Sequence, residues 1–263
     1  MNRIFLLLAV LTLPVTTALA EPEESADKAR AIMLESEHRN FDRYGDLRLD
    51  EEVIVENRWG KEVTRHLKVF LLEVLGEGEK GLIVFQSPAD VKGVASLFHT
   101  HKKEADDMWM FFPRQRRIRR VSTDNKGGAF MGTDFSIEDA VHYEPEKYTY
   151  SWLREEIHDG EDCFVIERFP LERSSTYSSQ VIWIDKKHYR VLKADHYNRR
   201  GRFTKTLHFF GYKEYFKDHW RPGKMKMINH VDQSITRVLM KNWSFNVGLR
   251  ESVFTLNGLR LQR

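Results

Sequence analysis

The sequence predicts a mainly β protein with a few helices (α+β), built as a curved, incomplete antiparallel β-barrel with helices packed on its open side. Three observations predict it. From about Leu47 onward apolar and polar residues alternate with a period of two. Turn residues recur at hairpin spacing. Only Ser25 to Phe41 and Phe130 to Tyr143 depart toward helical or irregular patterns. The turns imply a meander of roughly ten strands, and a sheet of that size curls. Closing the curl hides edges that otherwise invite aggregation.

The first residues form a leader. Arg3 precedes an apolar run from Ile4 to Leu13, and Ala18-Leu19-Ala20 supplies a small-x-small site. This is the layout of a secretory signal peptide, too short for a membrane anchor. Residues 1–20 are therefore expected to be cleaved after Ala20, leaving 21–263 as a single domain that works outside the cytoplasm. Lipid attachment at the new terminus would require a cysteine there, and the one cysteine is Cys163. It falls in Asp162-Cys163-Phe164-Val165-Ile166, which reads as a strand with a buried, inert thiol. With no internal disulfide available, stability must come from a core, and 41% apolar composition is enough to build one. The formal charge is +3, or +2 without Arg3, too little to imply a nucleic-acid partner.

Ser25 to Phe41 reads as a helix capped by Ser25. Leu47, Leu49, Val53 and Val55 then alternate with Arg48, Asp50 and Glu52, and Leu67, Val69 and Leu71 alternate with His66 and Lys68. These are half-buried antiparallel strands. Asn57 to Gly60, Gly76 to Gly78, Asp185 to Lys187, Asn198 to Gly201, Pro222-Gly223 and Val231 to Gln233 separate such runs. Asp159-Gly160 is the clearest signal, a two-residue hairpin turn.

The middle of the chain is less regular. Met108-Trp109-Met110-Phe111-Phe112-Pro113 is apolar on both faces, so a helix or a ligand must cover the second face. Phe209, Phe210, Tyr212, Met225, Met227, Met240, Trp243 and Phe245 repeat the theme on later strands, as core or as the adaptable wall of a cavity. Arg114, Arg116, Arg117, Arg119 and Arg120 form a cationic run: a solvated edge strand, or a rim for an acidic partner or lipid head groups. In one strand, Arg116 and Arg120 would share the face of Ile118. Gly127, Gly128 and Gly132 surround an apolar tip, Phe130-Met131, suited to a lid, and Thr133 or Asp134 is placed to cap a short helix.

Catalytic signals are weak. His99 and His101 sit near Glu104, Asp106 and Asp107, but so many Lys and Asp residues favour a loop over a metal site. No Gly-x-Ser-x-Gly elbow and no His-Glu-x-x-His helix occur. The chain is expected not to be an enzyme and to need no metal or cofactor.

Four blocks carry a resemblance: Ser87-Pro88-Ala89-Asp90-Val91-Lys92-Gly93; Asp107-Met108-Trp109-Met110-Phe111-Phe112-Pro113; Arg117-Ile118-Arg119-Arg120-Val121-Ser122; and Phe130-Met131-Gly132-Thr133-Asp134-Phe135-Ser136 with Glu138-Asp139. In order and spacing the chain resembles the outer-membrane lipoprotein-sorting-protein family of LolA-like periplasmic proteins. The resemblance implies a LolA/LolB-like half-barrel with a helical lid over an apolar cavity, and no catalytic residues. It further implies a periplasmic carrier or chaperone for a lipid, an acyl chain or a lipoprotein, with an exporter of the RND type as a membrane partner. The alternative function is a non-carrier accessory or sensory module of such an exporter. Trp109, Phe111, Phe112, Phe130 and Met131 are the expected cavity or lid residues, Arg117, Arg119 and Arg120 the expected contacts to partner or head group, and the chain is expected to be a monomer.

Overall fold

The computed structural model describes residues 22–122, 126–216 and 219–261; the expected leader and the cleavage site expected after Ala20 lie outside the described residues. Helix α1 (Pro22–Asn40) opens the chain. Proline suits its first turn, and Glu23 and Glu24 there oppose His38 and Arg39 in the last turn, as the helix dipole favours. The helix starts ahead of Ser25, which therefore does not cap it; the Ser25 hydroxyl donates instead to the Trp152 carbonyl at 3.2 Å.

Strands follow in chain order: β1 (Asp46–Glu56), β2 (Glu62–Val74), β3 (Gly78–Ser87), β4 (Ala95–His99), β5 (Asp107–Phe112) and β6 (Arg117–Arg120). After three 3-10 turns among the described residues come β7 (Tyr148–His158), β8 (Glu161–Pro170), β9 (Tyr177–Asp185), β10 (Val191–Asn198), β11 (Phe203–Phe210), β12 (Lys213–Phe216), β13 (His219–Arg221), β14 (Lys224–Asn229) and β15 (Ser234–Phe245). A short helix, α2 (Leu256–Arg260), ends the described chain. Fifteen strands among the described residues exceed the ten expected, because several run for only three to six residues, too short to show a period.

Thirteen strands form one antiparallel sheet in the order β6-β5-β4-β3-β2-β1-β15-β14-β11-β10-β9-β8-β7. The two ends of that order do not pair, so the barrel is curved and incomplete. At the Asp159-Gly160 turn both residues have positive φ, 50° and 83°, and His158 pairs with Glu161, as a tight hairpin requires.

The sheet has an inner and an outer face. Leu47, Leu49, Val53, Leu67, Val69, Ile83, Phe85 and Phe98 pack inward with Phe130 and Phe135 of the segment between β6 and β7. Farther along, Ala29, Ile32 and Met33 of α1 cover Tyr150, Ile166, Ile182 and Ala194. On the outer face, Phe254 and Leu259 of the C-terminal turns cover Leu82, Val84, Leu97 and Phe111. The doubly apolar run at Met108 to Phe112 is thereby explained: a helical cap shields its second face. Cys163 is buried in the outer cluster with Val165 and Trp183.

Candidate functional site

Between the inner face of the sheet and the crossing segment lies a cavity of about 360 Å³. Its wall is apolar: Leu49, Val53, Leu67, Val69, Phe85 and Phe98 from the early strands, Leu207, Phe209, Met225, Val238, Met240 and Trp243 from the late ones. Period-two alternation sends every second residue of each strand inward, which is how distant parts of the sequence meet here. Phe130, Phe135, Ala140 and Val141 close it from above as a lid of short 3-10 turns.

Polar groups tie the lid down along its length. The Asp134 carboxylate accepts from Thr236 Oγ1 at 2.7 Å and from the Ser234 hydroxyl, its N–H donates to Thr236 Oγ1 at 2.9 Å, and its carbonyl accepts from Lys205 Nζ at 2.7 Å. Asp134 thus fastens the lid to β15 and β11 rather than capping a helix, and the turn Glu138–Ala140 has no side-chain cap. Tyr177 Oη donates to Asp139 at 2.7 Å, and Glu138 accepts from Ser175 Oγ and the Thr176 N–H, both at 2.8 Å. Burial is the largest influence on Glu138 and pushes its carboxyl up to about 7. Farther on, His142 Nε2 lies 2.6 Å from Glu37 Oε1 of α1. Burial, the largest single influence, opposes a charged imidazole, but the neighbouring carboxyls of Glu37, Glu79 and Glu144 together outweigh it and raise His142 to about 9. Glu144 accepts from Thr100 Oγ1 at 2.8 Å.

The expected site residues divide. Phe130 lines the cavity, while Met131 and Phe112 join the same inward cluster without lining it. Trp109 and Phe111 sit on the outer face, under the C-terminal cap, so they do not line the cavity; alternation along β5 sends Met108, Met110 and Phe112 inward in their place. Arg117, Arg119 and Arg120 lie exposed on β6, the edge of the sheet. Arg120 pairs with Asp107, and Arg119 bonds to Gln115 at 3.2 Å and lies over Phe112. Arg116 precedes the strand in a left-handed turn, φ 50°, so it does not share the face of Ile118 and Arg120. His99 and His101 face different partners: His99 Nε2 lies 2.9 Å from the Phe254 carbonyl and His101 Nδ1 2.7 Å from Glu77.

The cavity also takes charged residues that a reading by apolar pattern misses, among them Glu51 and Arg65 on the first two strands. Their signal is phase. On β1 the inward positions are Leu47, Leu49, Glu51 and Val53; on β2 they are Arg65, Leu67, Val69 and Leu71. A charge stands once on each strand where an apolar residue is due. Burial alone pushes the Glu51 carboxyl up to about 7.

Comparison with known proteins fits this geometry. A family model described only as an uncharacterized protein matches residues 77–261. The crystal structure of an outer membrane lipoprotein-sorting protein domain from Vibrio parahaemolyticus is similar at 40% identity and TM-score 0.87, covering 89% of this chain and 99% of that one. A DUF1329 family protein from Desulfovibrio piger is similar at 29% identity and TM-score 0.84, with the same coverage of both chains. A LolA superfamily protein from Nitrosomonas europaea, 21% identical, shares the fold at TM-score 0.71 over 88% of this chain and 98% of its own. No curated protein matches. Sequence, half-barrel and lid together place the chain in the outer-membrane lipoprotein-sorting-protein family, and its fold is that of the LolA superfamily protein.

Proposed function

We propose that the protein is a periplasmic, non-enzymatic carrier that shelters a lipid, an acyl chain or the lipid part of a lipoprotein and hands it to or from a membrane partner. The observation that carries this reading is the cavity of about 360 Å³ with an apolar wall, within the size range of small-molecule sites. Each methylene taken from water contributes about 0.8 kcal/mol, so a chain of about ten supplies roughly 8 kcal/mol before the cost of immobilising it. Such binding depends on length and hardly on detailed contacts, as a carrier of varied guests needs. The leader supports export to the periplasm, and the family resemblance supports an RND-type exporter as partner.

The test is uptake of a fluorescent acyl probe by detergent-free protein, with native mass spectrometry for co-purified lipid. Wild type should load, and Met240→Trp, which fills the cavity, should lose uptake while keeping its circular dichroism. Protein that is empty on purification and takes up no probe would sink the proposal. An accessory module without cargo would bind an exporter's periplasmic domain equally with and without lipid, whereas a carrier couples the two affinities.

A further inference from the structure

Three charged side chains of the cavity wall, Arg168, Arg221 and Glu79, have partners within the protein. Arg168 lies over Tyr143 and Tyr148 with its Nε on Gln180 at 2.6 Å. Arg221 lies over Phe41 and donates to the Trp220 carbonyl. Glu79 accepts from Tyr44 Oη at 2.9 Å. Arg65 Nη1 is buried without a hydrogen-bond partner, as are His196 Nδ1, Tyr143 Oη and Trp243 Nε1 on the same wall, but burial holds His196 down at about 4, and Arg65 is the member of this group that carries a charge at neutral pH. Asp90, beyond ion-pair reach, is the one acid whose field touches it, and desolvation lowers its pKa.

Glu51 does not neutralise it. Val53 is the residue opposite Arg65 and Leu67 the one opposite Glu51, so the two charges are diagonal neighbours and no ion pair joins them. Burial pushes the Glu51 carboxyl up to about 7, which weakens it further as a counter-charge. The guanidinium stays charged at any working pH and presents a planar fork that matches a carboxylate or phosphate in two parallel bonds. Leaving such a donor buried and unmet is costly, and a guest's anion would remove that cost. The lid meets it closely: a side-chain carbon added at Gly132, φ +74°, would lie 3.8 Å from Arg65 Nη2. Glycine there leaves the fork uncovered beneath the lid's turn.

We propose that Arg65 anchors the head of the guest, so that the cavity takes a single-chain amphiphile ending in a carboxylate or a phosphate. This rests on the carrier reading above. The volume, near the lower end for ligand sites, suits one chain rather than several. The polar end sits at Arg65 below Gly132, and the chain runs along Leu67, Val238 and Met240.

The experiment compares dodecanoate, dodecyl phosphate, dodecanol and inorganic phosphate by calorimetric titration of wild type, Arg65→Gln and Arg65→Lys. Wild type should bind the two anionic amphiphiles about tenfold tighter than dodecanol, the share expected of a bidentate charged contact, and should not bind phosphate alone. Arg65→Gln should erase that preference with dodecanol affinity unchanged, and Arg65→Lys should restore part of it. Dodecanol bound as tightly as dodecanoate, or a preference that survives Arg65→Gln, overturns the head-group assignment while the carrier reading stands. Phosphate binding without a chain would make Arg65 a free-anion site and also overturns it. If none of the chain-bearing probes binds, the carrier reading fails with it.

Discussion

Glu51 interrupts the inward apolar phase of β1, and its folded-state pKa of about 7 lies above its ordinary 4.5. Between those values the folded chain holds a proton that the unfolded chain has released, so folding is most favoured below pH 4.5 and this contribution is lost as pH rises through 7. Glu51→Gln should therefore raise unfolding free energy at pH 8 by about 1–2 kcal/mol and leave it unchanged at pH 4.5. Urea denaturation at the two pH values checks this; equal effects at both would refute it. Cys163 follows the same rule, since burial pushes its thiol up to about 11 and keeps it protonated. Disulfide reagents should leave it unmodified in the native protein at pH 8 and react with it fully in denaturant.

Elements repeat these lessons. Gly81 on β3 faces Phe98 on β4, and a Cβ built at Gly81 would lie 1.8 Å from that ring, which is itself buried. Gly81→Ala should cost about 2–3 kcal/mol, read from the shift in thermal midpoint; a shift within error would mean the ring moves freely. Alternation made β1, β2 and the Asp159-Gly160 hairpin legible, because local periodicity and turn chemistry are written in adjacent residues. The cavity face of β5 was not legible. A run apolar on both sides carries no phase, and only the distant C-terminal cap decides that Trp109 and Phe111 lie outside. The arginines of β6 were readable as an edge strand, and they occupy that place in the sheet, where cations discourage further pairing.

At the scale of the molecule, family and half-barrel followed from four short blocks, while the lid's fastenings did not. Asp134, Glu138 and Asp139 stand in the recognised block, yet their partners are remote in sequence: Thr236 on β15, Tyr177 on β9 and Thr176 just ahead of β9. Removing one fastening should loosen the lid without unfolding the sheet. Asp134→Ala should speed release of a bound acyl probe several-fold, with a loss of stability of about 1–3 kcal/mol, as stopped-flow dilution and thermal melts would measure. An unchanged release rate would show that guests leave by another route.

Because its cross-piece is bolted to α1 at one end and to β15 and β11 at the other, the open side of the barrel is spanned by a strut and not by a hinged flap. Spontaneous gaping demands that several of these contacts break together, so guest exchange in the proposed carrier is expected to be slow and steep with temperature. For the carrier proposed above, unloading on a useful timescale would then need an outside agent that competes for those same carboxylates.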